Sequence, residues 1–154
     1  MRSSKAGLKG KGGSFAIIAS SYNRRYVDGM LNAARQCLRK AGVNGVRVVR
    51  VPGAYEIPVV AGKLSRGDAG PFSAIICLGV ILRGATTHAQ HIGEAVTFAL
   101  TQLQVRDGVP IIHEVLLLEN EDQAKARCLS REHNRGTEAA RTALEMASVI
   151  RNLA

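Results

Sequence analysis

Aromatic side chains are scarce in this chain of 154 residues: no tryptophan, three tyrosines and three phenylalanines, 4% in all. Proteins that hold single-stranded nucleic acid stack bases on aromatic platforms set in basic grooves, and no such basic–aromatic alternation or RNA-recognition motif is present. Cysteine is scarce too. Cys37, Cys77 and Cys128 form no CxxC pair, and an odd, widely spaced set excludes a disulfide framework and a zinc site of ordinary spacing. Cys77 lies inside the run Ala74-Ile75-Ile76-Cys77-Leu78, where a thiol acts as a small hydrophobe. No apolar run approaches the roughly 20 residues that span a bilayer. The amino terminus lacks the apolar stretch of a secretory signal, so the expected location is the cytoplasm.

What is present is an ordinary globular balance, 46% hydrophobic and 21% charged, with a net charge of +9. Arg2, Lys5, Lys9 and Lys11 stand in a Gly- and Ser-rich leader without acids. Residues 1–13 have too little apolar surface to order themselves and are expected to form a flexible basic tail, with a single domain over 14–154. The excess positive charge suits a nucleic acid or anionic metabolites.

From residue 14 onward short apolar runs alternate with helical periodicity. Residues 14–20 are of strand length, and 23–40 place Tyr26, Val27, Met30, Leu31, Ala34, Cys37 and Leu38 at helical spacing before a stop at Gly42. Residues 46–51 alternate and are β-branched. A helix follows over 54–65 with Pro58 in its first turn. The near-continuous run 73–82 predicts a central strand covered on both faces. Thr87 and Gln90 predict a capping box opening a helix over 87–105, with Ile92, Ala95, Val96, Ala99, Leu100 and Leu103 buried. A fourth strand over 110–118 and a helix opening at Asn120 with Gln123 and running to 129 come next. The last helix, 135–152, is expected to bury Ala139, Ala140, Ala143, Leu144, Ala147 and Ile150. Four rounds of strand and helix predict an α/β fold, a three-layer α/β/α sandwich on a four-stranded parallel sheet. Ligands of such sheets bind beyond the carboxyl ends of the strands, which directs attention to the strand-to-helix junctions.

The first junction is Ser20-Ser21-Tyr22-Asn23, where Tyr22 offers a flat face for a heteroaromatic ring and Asn23 is a candidate helix cap. The second, Val51-Pro52-Gly53-Ala54-Tyr55-Glu56-Ile57-Pro58, sets amides and a carboxylate at a helix start, able to hold polyol hydroxyls or a uracil edge or simply to cap the turn. The third, Gly79-Val80-Ile81-Leu82-Arg83-Gly84-Ala85-Thr86-Thr87-His88, enters a long helix through small residues, a ready anion site, with His88 one turn in and suited to moving protons near neutrality. His91 and Glu94 share its helix face, but too few further ligands have diagnostic spacing for a metal centre. The fourth places His113 in a strand and Arg127 on the helix after it, where an arginine can clamp phosphate or sit in solvent.

Taken in order, these blocks resemble the lumazine synthase family from residue 14 to the carboxyl terminus, together with Glu121-Asp122-Gln123-Ala124, Asn134-Arg135-Gly136-Thr137-Glu138-Ala139-Ala140 and Leu144-Glu145-Met146. The resemblance implies a flavodoxin-like fold and condensation of 5-amino-6-(D-ribitylamino)uracil with 3,4-dihydroxy-2-butanone 4-phosphate to 6,7-dimethyl-8-ribityllumazine, a step of riboflavin biosynthesis needing no metal or organic cofactor. It implies that Tyr22 stacks on the pyrimidine and that Ala54, Tyr55 and Glu56 line the ribityl site. The Val80, Ile81 and Leu82 backbone would read the uracil edge, Ala85, Thr86 and Arg127 would hold phosphate, and His88 would carry protons. It further implies a homo-pentamer with each site between neighbouring subunits, so that His113 reaches the ring from the adjacent chain. His113 departs from the apolar aromatic residue usual there. Ala89-Gln90-His91 and Arg131-Glu132-His133-Asn134 also depart, and the second leaves open whether pentamers close into a sixty-subunit shell. Rival readings are a nucleic-acid-binding protein, favoured by the charge, and a flavodoxin-like or flavin-binding module without catalysis.

Overall fold

A computed structural model describes residues 14–67 and 71–154; the expected tail over 1–13 lies outside the described residues. Among these, four strands, β1 (Phe15–Ser20), β2 (Arg47–Val51), β3 (Ala74–Leu82) and β4 (Ile111–Leu118), alternate with five α-helices. The helices are α1 (Arg24–Lys40), α2 (Ile57–Ser65), α3 (His88–Asp107), α4 (Glu121–Cys128) and α5 (Arg135–Asn152). The strands are all parallel, in spatial order β2-β1-β3-β4. This is the expected α/β/α sandwich, with the strand order of flavodoxin-like folds. None of the described helices is long and apolar enough to cross a membrane.

The two-residue repeat of a strand sorts side chains between layers. Phe15, Ile17 and Ala19 of β1, with Ala74, Ile76, Leu78 and Val80 of β3, pack against α1, α4 and α5. Ala16 and Ile18, with Ile75 and Cys77, face α2 and α3. Both central strands are therefore buried on both faces, which explains their unbroken apolar sequence. Burial pushes the Cys77 thiol up to about 12, and Cys37, Cys77 and Cys128 are all free thiols.

Small residues decide how closely the first layer packs. α5 turns Ala139, Ala140, Ala143 and Ala147 inward, and at Gly136 an added methyl would run into the Met30 backbone of α1. Gly29 of α1 lies as closely on the Cys128 carbonyl at the end of α4. Buried Asn134 ties the joint: its Oδ1 accepts from the Gly136 N–H (2.8 Å), and its Nδ2 donates to the Cys128 (2.8 Å) and Gly29 (3.3 Å) carbonyls.

β4 forms one edge of the sheet. The Ile75 N–H donates to the Pro110 carbonyl, so alternation turns the peptide groups of 111, 113, 115 and 117 outward. Two of those N–H groups are taken by the chain's own side chains, Ile111 by Gln104 Oε1 (2.8 Å) and Val115 by His113 Nδ1 (3.1 Å).

Several local expectations need correction. Thr87 stands at the N-cap of α3 but makes no capping bond; its hydroxyl lies 3.2 Å from His91 Nε2. Gln90, the other half of the expected capping box, instead accepts from Arg83 and donates to Glu94. Only Val96 and Leu100 of the predicted α3 stripe are buried; Ile92, Ala99 and Leu103 are half-buried and Ala95 is exposed. Ile150 of α5 is exposed. In contrast, Asn120 caps α4 as expected, accepting from the Gln123 N–H at 2.9 Å. Residues 54–56 form a 3-10 turn leading into α2, with Pro58 in its first turn.

Candidate active site

Because the strands are parallel, all four junctions leave one edge of the sheet, and three of them meet. β1 stops pairing with β3 at Ala19 opposite Leu78, whereas β4 follows β3 to Leu82 opposite Leu118. The tip of β3 therefore overhangs β1 and forms one wall of a cleft of about 480 Å³. Alternation turns the Leu82 N–H and C=O toward this open side.

Tyr22, at the end of β1, is held by its own N–H on the Pro52 carbonyl (3.0 Å). Tyr22 is 75% exposed and lines the cleft. Ala54, Tyr55 and Glu56 face it from the β2 junction. Tyr55 is exposed, while one carboxylate oxygen of Glu56 accepts from the Gly53 N–H at 3.0 Å. That bond fixes the turn and leaves the second oxygen for a hydroxyl. Val80, Ile81, Leu82, Thr86 and His88 complete the wall, with Ala89 and Ile92 beneath them. His88 is exposed on the rim, its N–H donating to Thr86 Oγ1 at 3.3 Å. Ala85 is exposed between the lining residues Gly84 and Thr86 but does not itself line the cleft. The segment enters the amino end of α3, where unpaired N–H groups and the helix dipole favour an anion.

His113 and Arg127 are not brought to this cleft within one chain. They line a second one of about 550 Å³ along the outer edge of β4, with Glu114, Gln123 and Arg135. A backbone N–H can only donate, so the bond from Val115 fixes His113 Nδ1 as acceptor and puts the ring proton on Nε2. Nε2 lies 2.7 Å from Thr97 Oγ1 of α3. Burial lowers the His113 pKa, holding the imidazole neutral. Arg135 is committed to acids: its Nε and Nη2 reach buried Glu114 at 3.1 and 3.2 Å, and Nη1 reaches Glu138 at 2.6 Å. Desolvation raises the Glu114 pKa against the pull of Arg135. Among the described residues no carboxylate pairs with Arg127, which leaves it as the cation of this cleft available to an outside anion. Arg135 and Glu114 were not anticipated as site residues; only their nearness in space connects them.

Asn23 was also misread. It precedes α1 as expected, but its side chain makes no bond to the helix amides. Instead Nδ2 donates to the Val80 carbonyl across the cleft floor, at 2.8 Å. Sequence gives little warning of this, since Asn before a helix ordinarily reads as a cap. Among the described residues, no group of three or more His, Cys, Asp or Glu side chains is placed to hold a metal ion.

The model of the 6,7-dimethyl-8-ribityllumazine synthase family matches residues 12–151. A protein of that name from Kineococcus radiotolerans is 40% identical over 149 residues, covering 96% of this chain and 91% of its own. One from Xanthomonas campestris is 39% identical over 138 residues, 88% of each chain, and one from Renibacterium salmoninarum 36% over 152 residues, 94% and 93%. With a match that spans all four strands and reaches the last turn of α5, the chain belongs to the 6,7-dimethyl-8-ribityllumazine synthase family.

Proposed function

We propose that this chain condenses 5-amino-6-(D-ribitylamino)uracil with 3,4-dihydroxy-2-butanone 4-phosphate, giving 6,7-dimethyl-8-ribityllumazine, inorganic phosphate and two molecules of water. The observation that carries the proposal is the convergence of an exposed aromatic wall, a carboxylate-bearing turn, the open peptide edge of β3 and His88 on one cleft. The heterocycle would lie against Tyr22, with its edge on the peptides of Val80, Ile81 and Leu82. Its ribityl chain would meet Ala54, Tyr55 and Glu56. The phosphate would sit at Ala85 and Thr86, on the amino end of α3, with Arg127 as counter-charge.

In chemical terms, the 5-amino group of the uracil adds to the ketone carbonyl, and loss of water leaves an imine. A proton leaves carbon and phosphate departs, generating a new carbonyl after tautomerisation. The ribityl-bearing nitrogen then closes on that carbonyl, and a second water is lost. Each step moves a proton to or from nitrogen, oxygen or carbon, and we assign that role to His88 on the rim of the cleft. Acid–base help of this kind contributes about 10²–10⁴-fold. Holding two substrates in register can supply up to about 7–11 kcal/mol, so positioning is the larger share.

Within one chain Arg127 and His113 line a different cleft from His88. We therefore assign them to the site of a neighbouring copy, in a homo-pentamer whose subunits each complete the next. The exposure of Phe98 (68%), which lines a groove with Val115 and Leu117 of β4, and of Val105 (79%) on the same helix fits a surface covered by such a copy. Mixing the full chain with both substrates and following lumazine fluorescence and released phosphate tests the activity. Absence of product with either substrate saturating would refute it. Sedimentation and native mass measurement test the assembly, with a monomer refuting the shared site and a larger closed particle identifying a shell.

A further inference from the structure

Asn23 stands where three strand ends are fastened together, and its backbone is unlike that of any neighbour. With φ 55° and ψ 41° it is the one non-glycine residue at positive φ among the described residues. Asn is one of the few L residues that visit this region with little penalty. The outcome of the conformation is where it aims the side chain. The last paired rung between β1 and β3 joins Ala19 and Leu78. The Val80 carbonyl is the next acceptor in that row, past the point where β1 can reach. The Asn23 amide supplies the missing rung, Nδ2 to Val80 O at 2.8 Å.

The rest of the turn is tied elsewhere. The Ser21 N–H bonds the Val51 and Pro52 carbonyls at 2.8 and 3.2 Å, and the Tyr22 N–H bonds Pro52. Tyr22 is thus anchored to the β2 junction by its own backbone and to the β3 tip by the side chain of the next residue. Opposite it, Gly79 is so close to the Ser20 hydroxyl and Ile57 that even a methyl would meet them at 3.3 and 3.4 Å. There is little slack below the cleft, so the Asn23 bond sets the spacing above it.

We infer that Asn23 is a positioning residue: through Val80 it sets the separation between the Tyr22 ring and the Ile81–Leu82 peptide edge, and so governs binding of the heterocyclic substrate while leaving the phosphate half alone. This rests on the assignment of the cleft to the condensation. A residue that merely stapled the β1–α1 turn would, when changed, lower the melting temperature and weaken both substrates together.

Two substitutions separate these roles. Asn23→Asp keeps size and tolerance of positive φ, sets a carboxylate against a carbonyl with no proton between them, and is favourable to the helix dipole of α1. Asn23→Gly keeps the turn and removes the amide. The Michaelis constant for the ribitylaminouracil is expected to rise about 5-fold in Asn23→Gly and about 10-fold or more in Asn23→Asp, the effect of one lost or opposed hydrogen bond. That for the butanone phosphate should stay within about 2-fold, and the melting temperature near that of the unaltered protein. Unchanged constants in both variants would overturn the inference. So would parallel rises for both substrates with a lowered melting temperature, or failure of both variants to fold. An unaltered chain that makes no lumazine would sink the assignment of function itself, whereas an active chain with indifferent variants sinks only the role of Asn23.

Discussion

Replacing Gly136 by alanine and Gly62 by alanine should move stability in opposite directions, although both glycines lie within helices. A methyl built at Gly136 would stand 2.6 Å from the Met30 carbonyl carbon and 2.7 Å from its Cα. These are backbone atoms in the middle of α1, and they cannot rotate aside. The Met30 carbonyl oxygen lies closer still, so restoring ordinary contacts requires α1 and α5 to part by about 1 Å or more at this point. A gap of that size forfeits about half or more of each dispersion contact, along an interface that includes Ala139, Ala140 and Ala143. Overpacking of this kind costs about 1–3 kcal/mol. The alanine recovers about 1 kcal/mol of helix propensity, and the backbone clash places this site at or above the upper end of the cost. A net loss of about 2 kcal/mol lowers the melting temperature by about 4–8 °C in a chain of this size. At Gly62 the nearest atom is the flexible end of Leu103 at 3.4 Å, so only the propensity gain remains, about 0.5–1 kcal/mol. Its melting temperature should rise by about 1–4 °C. Circular-dichroism melts of the two variants beside the unaltered protein read both signs at once. A Gly136→Ala protein that melts at or above the unaltered one, or a shared direction for the two, would refute the account of the joint. The same joint seats the ends of α4 and α5, so Gly136→Ala should also weaken butanone phosphate more than ribitylaminouracil in steady-state kinetics.

Three further outcomes are expected. Arg127→Ala should raise the Michaelis constant for butanone phosphate by about 10–100-fold, the loss of a charge-assisted pair, and leave that for ribitylaminouracil near its original value; unchanged constants would remove Arg127 from the site. His88→Ala should leave a slow but measurable enzyme, with turnover reduced by no more than about 10²–10⁴-fold, and complete loss of activity in single-turnover experiments would show that proton transfer outweighs positioning. Burial lowers the His113 pKa, so the folded state binds this proton less well than the unfolded one. The corresponding stability is fully present above about 6.5, the unfolded value, and is lost as pH falls from there toward the folded value. The melting temperature should fall more steeply from about pH 7 to about pH 5 in the unaltered protein than in His113→Gln, and parallel profiles would contradict a half-buried imidazole that disfavours its charged form.

Much of this was legible in the residues themselves. The unbroken apolar runs of β1 and β3 required a sheet covered on both faces, and the Asn120 and Gln123 pair capped α4 as its spacing implied. The pattern failed where a local motif competed with partners distant in sequence. Gln90 could not complete a capping box with Thr87 because Arg83, arriving from β3, and Glu94 claim its amide. The α3 stripe was read as core, yet the helix leaves Ala95 exposed and Ile92, Ala99 and Leu103 half-buried, since periodicity registers an apolar face without saying whether the same chain covers it. For the site, short-range blocks marked junctions whose side chains line one cleft, as at Tyr22, Glu56 and His88. They did not separate Arg127 from that group, because only the sheet order shows on which side of β3 the last strand and its helix lie. Asn23 escaped for a related reason: its identity fits a cap, and only its backbone angles redirect the amide.

The outer margin of β4 carries one more implication. An uncovered strand is a template on which another sheet can grow, and copies added that way form open-ended fibres. Here the row of donors is interrupted, with Gln104 and the His113 ring folded onto two of them, so an incoming strand finds no regular ladder to extend. A partner meeting this margin would have to recognise it by side-chain shape and charge, which favours a fixed angle of approach. In the proposed ring of subunits, the imidazole that breaks the ladder would also work against open-ended strand addition.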